Sequence, residues 1–141
     1  MSGTDDAVAR PELCVGAILV ESERLLLVRR GRPPAAGLWS VPGGRVEPGE
    51  TMAAAVVREV LEETALEVVC GPLVGWVERI GPGHHFVIFD FEVTLLGADT
   101  PRAGDDAAEV AWVPLDEVEN LPLVDGLAEF LAEHDVIELI A

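Results

Sequence analysis

Between Gly44 and Leu66 the chain sets Glu50, Arg58, Glu59, Glu62 and Glu63 at fixed intervals behind a turn rich in glycine. Thr51 can cap a helix that runs on to about Thr64. On that helix Glu59 and Glu63 lie about 40° apart, and Glu62 about 60° further round. The three carboxylates therefore leave one side, while Val57, Val60 and Leu61 turn nearly the opposite way, toward a core. Like charges at this spacing repel by a few tenths, roughly 0.2–0.5 kcal/mol per pair, unless a cation offsets them. Arg58 lies four residues before Glu62 and can pair with it. It can also reach back to orient Glu50, as the support of a metal site requires. Oxygen donors without His or Cys point to Mg²⁺ or Mn²⁺ rather than zinc. The plain alternative is a solvated acidic helix face; the preceding glycines, Glu50 and Arg58 argue against it.

The segment resembles the Nudix hydrolase signature: glycine, a glutamate six positions on, then Arg-Glu, an aliphatic residue, Glu-Glu and a closing aliphatic. Gly44, Glu50, Arg58, Glu59, Val60, Glu62, Glu63 and Leu66 match, and Ala65 stands where the family has glycine. Just past a helix end glycine commonly turns left-handed. Alanine there costs ~1 kcal/mol if that conformation is kept. The expectation is a surviving site with a slightly altered helix exit.

The resemblance implies an enzyme that hydrolyses a nucleoside diphosphate linked to another group, with Mg²⁺ (or Mn²⁺) as cofactor. Glu59, Glu63 and the carbonyl of Gly44 would be metal ligands, with Glu50 close by. Glu62 would be a ligand or water activator, and Arg58 would hold the glutamates in place. Within the family the base that takes the proton varies. Asp105, Asp106 and Glu109, beside Gly104 on a polar loop, are candidates outside the helix, and a solvated turn is the other reading of them. Arg29, Arg30 and Arg32 are candidates for phosphate binding, although strand alternation lets only one of Arg29 and Arg30 face the site. Beside the Pro82 loop, His84 and His85 read first as surface histidines; His85 is the candidate for a substrate contact. Trp39 and Trp112 read as core.

Three cues bear on the substrate. Pro82 lies sixteen residues past Leu66, as in ADP-ribose hydrolases of the family. There is no tyrosine, unlike dinucleoside polyphosphate hydrolases, and the flank of Val41-Pro42-Gly43-Gly44 does not fit coenzyme A hydrolases. ADP-ribose or a nucleotide sugar is the first expectation. A pool-cleaning hydrolase of (oxidised) nucleoside triphosphates is the second, and a silent nucleotide-binding domain a third.

Composition narrows the classes further. With 141 residues, half of them hydrophobic, the chain reads as one domain (1–141) with a real core, residues 1–9 poorly ordered. A net charge of −17 argues against a long nucleic-acid partner. It also means that metal ions must supply most of the positive charge a diphosphate needs. The basic residues are all arginine, which excludes a Walker loop and Schiff-base chemistry. No apolar run reaches membrane length, and the acidic start is no secretory signal, so a cytoplasmic protein is expected. Cys14 and Cys70 read as buried free thiols. A homodimer is expected from the resemblance.

Strands are expected at Leu13–Val20 and Arg24–Arg29 as a hairpin, then a loop to Gly37, short extended Trp39–Pro42 and a loop over Gly43–Gly49. Further strands are expected at Leu66–Cys70, Leu73–Ile80, Phe86–Leu96 (buried on both faces) and Glu109–Val113, with a helix over Leu123–Glu133. This order predicts an α+β fold of the Nudix type, an α/β/α sandwich with a mixed sheet between helices.

Overall fold

The computed structural model describes residues 9–139; residues 1–8, most of the segment expected to be poorly ordered, lie outside them. Among the described residues eight strands and two helices follow one another: β1 Glu12–Ile18, β2 Val20–Glu21, β3 Arg24–Arg30, β4 Trp39–Ser40, β5 Gly43–Arg45, α1 Met52–Thr64, β6 Glu67–Gly81, β7 His84–Leu96, β8 Ala107–Pro114 and α2 Leu127–Glu133. A 3₁₀ turn at Leu115–Asn120 precedes α2. One sheet runs β5-β1-β7-β6, with β1 and β7 parallel and the other pairs antiparallel. The second holds β2, β3 and β4, and β8 pairs with the free side of β3. The α+β class and the mixed sheet between helices are as expected.

Alternating apolar residues feed two cores. Val15, Ala17 and Leu26 meet Ala55, Val56 and Val60 of α1. Ile18, Leu25 and Leu27 turn the other way and meet Trp39, Leu127, Phe130 and Leu131 around α2. Thus α1 and α2 pack on separate cores, each fed by alternate residues of the same strands.

Several sequence expectations are corrected. β1 and β3 do not form a hairpin. Both sides of β1 are occupied, by β5 and β7, so the chain crosses at the fully buried Leu19 and only β2 pairs with β3. The strands expected at 66–70 and 73–80 are one strand. β6 carries Pro72 across a register shift, which an edge strand tolerates because the missing N–H faces no partner. β7 is not buried on both faces: only Asp90 and Val93 are buried, and His84, Phe86 and Ile88 on one face line an open cleft. The inner face of α1 is Ala55, Val56, Val60 and Thr64, whereas Leu61 is 49 % exposed. α2 begins at Leu127, not Leu123, since residues 122–124 run extended against Trp39 and Gly126 takes a positive φ of 81°. Cys14 is buried, Cys70 is half-buried, and both are free.

Thr51 caps α1 as expected, its hydroxyl accepting from the Ala54 amide at 3.1 Å. At the other end Ala65 keeps the left-handed conformation, φ 63°, and donates to the Leu61 carbonyl at 2.9 Å. The helix exit is therefore not altered; the alanine carries the strain instead. Ala65→Gly should stabilise the protein by about 1 kcal/mol, read as a higher denaturant midpoint. An unchanged or lower midpoint would show that the αL alanine is not strained.

Candidate active site

The glycine turn and α1 are held together by one guanidinium. Arg58 Nε and Nη2 donate to the two oxygens of Glu50 at 2.7 and 2.9 Å. Its Nη1 donates to Glu59 at 2.7 Å and to Glu62 at 3.2 Å, and Nη2 also reaches the Arg45 carbonyl at 3.0 Å. Glu50 in turn accepts from the Glu47 amide at 3.0 Å, closing the turn. These bonds, Arg58 first, hold the Glu50 carboxyl down at about 2. The paired Glu50 and Glu59 raise the guanidinium above its ordinary value. Arg58 and Glu50 side chains are 24 % and 15 % exposed, so this network is partly screened from water rather than a surface pair.

Glycine is required where the turn meets the helix. A Cβ on Gly44 would run into the Glu59 carboxylate, and one on Gly43 into the backbone of β1. The Gly43 amide donates to Glu63 at 2.9 Å. Burial raises the Glu63 acid to about 8, the Gly43 bond opposing and Glu59 adding to the rise. Burial likewise raises Glu59, against the pull of Arg58. Glu62, by contrast, is 57 % exposed and its bond is to Arg58.

A polar loop completes the arrangement from behind. The Arg102 and Gly104 amides donate to the carbonyls of Thr64 and Glu63, at 2.8 and 3.0 Å, satisfying groups left open at the end of α1. The same loop brings Asp106 to the cleft beside Glu63, where it also pairs with Arg32 at 3.2 Å.

Glu59 and Glu63 open into a cleft of about 800 Å³ that Arg29, Arg30, Arg32, Gly44, Arg58 and Asp106 also line. Arg29 and Arg30 both face it, against the alternation expected, because the ladder with β8 slips between them and a bulge puts neighbours on one side. Arg29 pairs with Glu109 at 3.3 Å, and Arg30 donates to the Pro34 carbonyl at 2.7 Å. His85 lies off the cleft, paired with Glu78 at 3.1 Å, and His84 lines it instead, stacked on Phe86. Asp105, Glu50 and Glu62 do not line the cleft either. Trp39 and Trp112 belong to the cores. Sequence reasoning missed Arg79, Phe86, Ile88, Asp90 and Phe130 on the cleft wall. Period-two spacing from His84 to Asp90 was the available signal.

The donor set fits a hard cation in chemistry, though not yet in convergence. Among the described residues no three His, Cys, Asp or Glu side chains gather closely enough to hold an ion. Glu59 is engaged by Arg58 and Glu63 by Gly43. Yet both are oxygen donors whose acids are raised by burial, which a cation beside Gly44 would reverse.

A family model of the NUDIX domain matches residues 10–134. A putative 8-oxo-dGTP diphosphatase 2 of Mycobacterium tuberculosis is 37 % identical over 126 residues, covering 86 % of each chain. An ADP-ribose pyrophosphatase of Methanocaldococcus jannaschii is 34 % identical over 79 % of this chain and 66 % of its own. The crystal structure of a MutT protein from Methanosarcina mazei superposes with a TM-score of 0.82 at 28 % identity, over 90 % of this chain and 94 % of that one.

A carboxyl whose acid is raised on folding stabilises the fold most below its unfolded value. That contribution is lost as pH rises through the folded value. For Glu63 the window runs from about 4.5 to about 8, and Asp90, raised to about 6, adds to its lower part. In chelator, the melting temperature should fall across this window, and Glu63→Gln should flatten the fall in its upper part. An equal slope in that variant would remove Glu63 as the cause.

Proposed function

The chain belongs to the Nudix hydrolase family, and we propose that it uses Mg²⁺ or Mn²⁺ to hydrolyse a phosphoanhydride bond of a nucleotide. The observation that carries this reading is the Arg58 network, which sets Glu59 against Gly44, beside the Glu63 that the Gly43 amide holds on the same cleft. Glu59, Glu63 and the Gly44 carbonyl would hold the cation, with Glu62 able to swing in from solvent. A cation held there neutralises phosphate charge and acidifies water. Glu50 keeps Arg58 in place rather than serving as a ligand, since both its oxygens are engaged. Arg29, Arg30 and Arg32, which line the same cleft, would hold the phosphates. Asp106, which lines the cleft, would take a proton from the attacking water ahead of Asp105 and Glu109, which do not line it.

We put a nucleoside triphosphate, oxidised purines included, ahead of ADP-ribose as substrate. The relative named for 8-oxo-dGTP covers more of both chains than the one named for ADP-ribose. The second reading, ADP-ribose or a nucleotide sugar, draws on that other relative and on Pro82 at the turn beside the cleft-lining His84. No helix of the described residues is long and apolar enough to cross a membrane. We propose a cytoplasmic location on composition, and a homodimer on the family resemblance alone.

Incubation with Mg²⁺ and dGTP, its 8-oxo form or ADP-ribose separates these readings by product: nucleoside monophosphate with pyrophosphate, or AMP with ribose phosphate. Glu63→Gln should lower turnover on the order of 100-fold or more while the fold persists. Full activity in that variant would refute the ligand assignment, and no turnover on a broad panel would refute the enzyme reading.

A further inference from the structure

Asp90 is 4 % exposed, and among the described residues its Oδ1 is the one buried side-chain oxygen without a hydrogen-bond partner. An unpaired carboxyl in such a place is costly, and a native fold keeps one for a reason. Strand alternation puts His84, Phe86, Ile88 and Asp90 on one face of β7, and all four line the cleft that holds Glu59 and Glu63. Across the sheet Asp90 stands beside Gly16 of β1 and Gly75 of β6. A Cβ on Gly16 would collide with Asp90 Oδ1, and one on Gly75 would meet His134 and Phe130. The first glycine lets the carboxyl lie over the strand; the second lets the end of α2 wall it in.

The register also fixes how far Asp90 stands from the carboxylates. Gly16 pairs with Gly43 of β5, whose amide holds Glu63. Asp90 is thus two strand spacings, about 10 Å, from Gly43. That is the reach from a nucleotide's phosphates to the far edge of its base. Apolar side chains of Val77, Phe86, Ile88 and Phe130 line the cleft in this region, a surface suited to a flat ring.

An ionised carboxylate only accepts hydrogen bonds, and it can accept two from adjacent donors. Among the common bases guanine alone sets a ring N–H beside an amino group on its pairing edge. Adenine and cytosine put an acceptor beside the amino group, and hypoxanthine lacks the amino group. Resting on the nucleotide-hydrolase reading above, we propose that Asp90 selects the base by accepting from the N1–H and N2 amino group of a guanine nucleotide. The 8-oxo form keeps that edge. Burial raises the Asp90 acid to about 6, with Arg79 pulling it down, which leaves it ionised at neutral pH.

The test is binding of GMP, IMP and AMP to the full chain by calorimetry, so it does not depend on turnover. The unaltered protein should bind GMP roughly tenfold or more tightly than IMP or AMP, the scale of one bidentate contact. Asp90→Asn should abolish that preference and keep or raise the melting temperature of the nucleotide-free protein, because an unpaired buried charge is removed. Gly16→Ala, which pushes the carboxyl aside, should lose the preference by an independent route. Equal affinities in the unaltered protein, or a preference that survives both substitutions, would overturn the proposal. So would an Asp90→Asn variant that melts lower yet keeps its selectivity, since that marks a structural carboxyl. Failure of hydrolysis would count against the enzyme reading and leave these affinities to be read on their own.

Discussion

The site depends on the fork of hydrogen bonds between Arg58 and Glu50. Four carboxylates, Glu47, Glu50, Glu59 and Glu62, surround one cation, and in a chain of net charge −17 their mutual repulsion would otherwise pull the glycine turn off the helix. Planarity is the reason an arginine serves here. Its five donors lie in a fixed fork, so two oxygens of Glu50, one of Glu59 and a backbone carbonyl are reached without bending the helix. A lysine could neutralise as much charge but could not fix so many directions at once.

From that anchor the rest of the cleft follows by backbone contact. The turn lies on β1 because Gly43 has no side chain, and it receives Glu59 because Gly44 has none. β1 lies beside β7 in parallel register, which aligns Gly43, Gly16 and Asp90 across three strands. The phosphate end and the far end of the cleft are therefore joined through a sheet, whose hydrogen bonds set the distance between them. Arginines of β3 and the loop after it line the same cleft, and the charge of Arg30 acts on Glu63.

What could be read from the sequence was local. The helix, its Thr51 cap, the Arg58 pairings and the turn at Gly81–Gly83 rest on contacts within about ten residues, and those contacts form as spacing implies. What could not be read needed pairing information. Strand alternation alone gave Leu13–Val20 and Arg24–Arg29 as a hairpin, because it does not reveal that β1 already has two neighbours. The same rule placed only one of Arg29 and Arg30 at the site, because a bulge is invisible in the pattern. His84 was passed over for His85 because the phase of β7 relative to the cleft is set by β1 and β6. In the sequence Asp90 is one polar residue in an apolar run; it stands between Gly16 and Gly75, both far away in sequence.

The loop behind α1 has a consequence for how such a scaffold can diversify. Through the Arg102 and Gly104 amides it is tied to the last carbonyls of the helix, while Gly31 is tied to the Asp106 carbonyl at 3.1 Å. The loop is thus a splint joining two walls of the cleft, although it has no regular structure of its own. Length changes near Gly97–Pro101 fall outside the splint and leave the spacing of the walls alone. Length changes between Arg102 and Asp106 would alter the width of the cleft and the tilt of the carboxylates together, so reshaping for a bulkier substrate has to come from elsewhere.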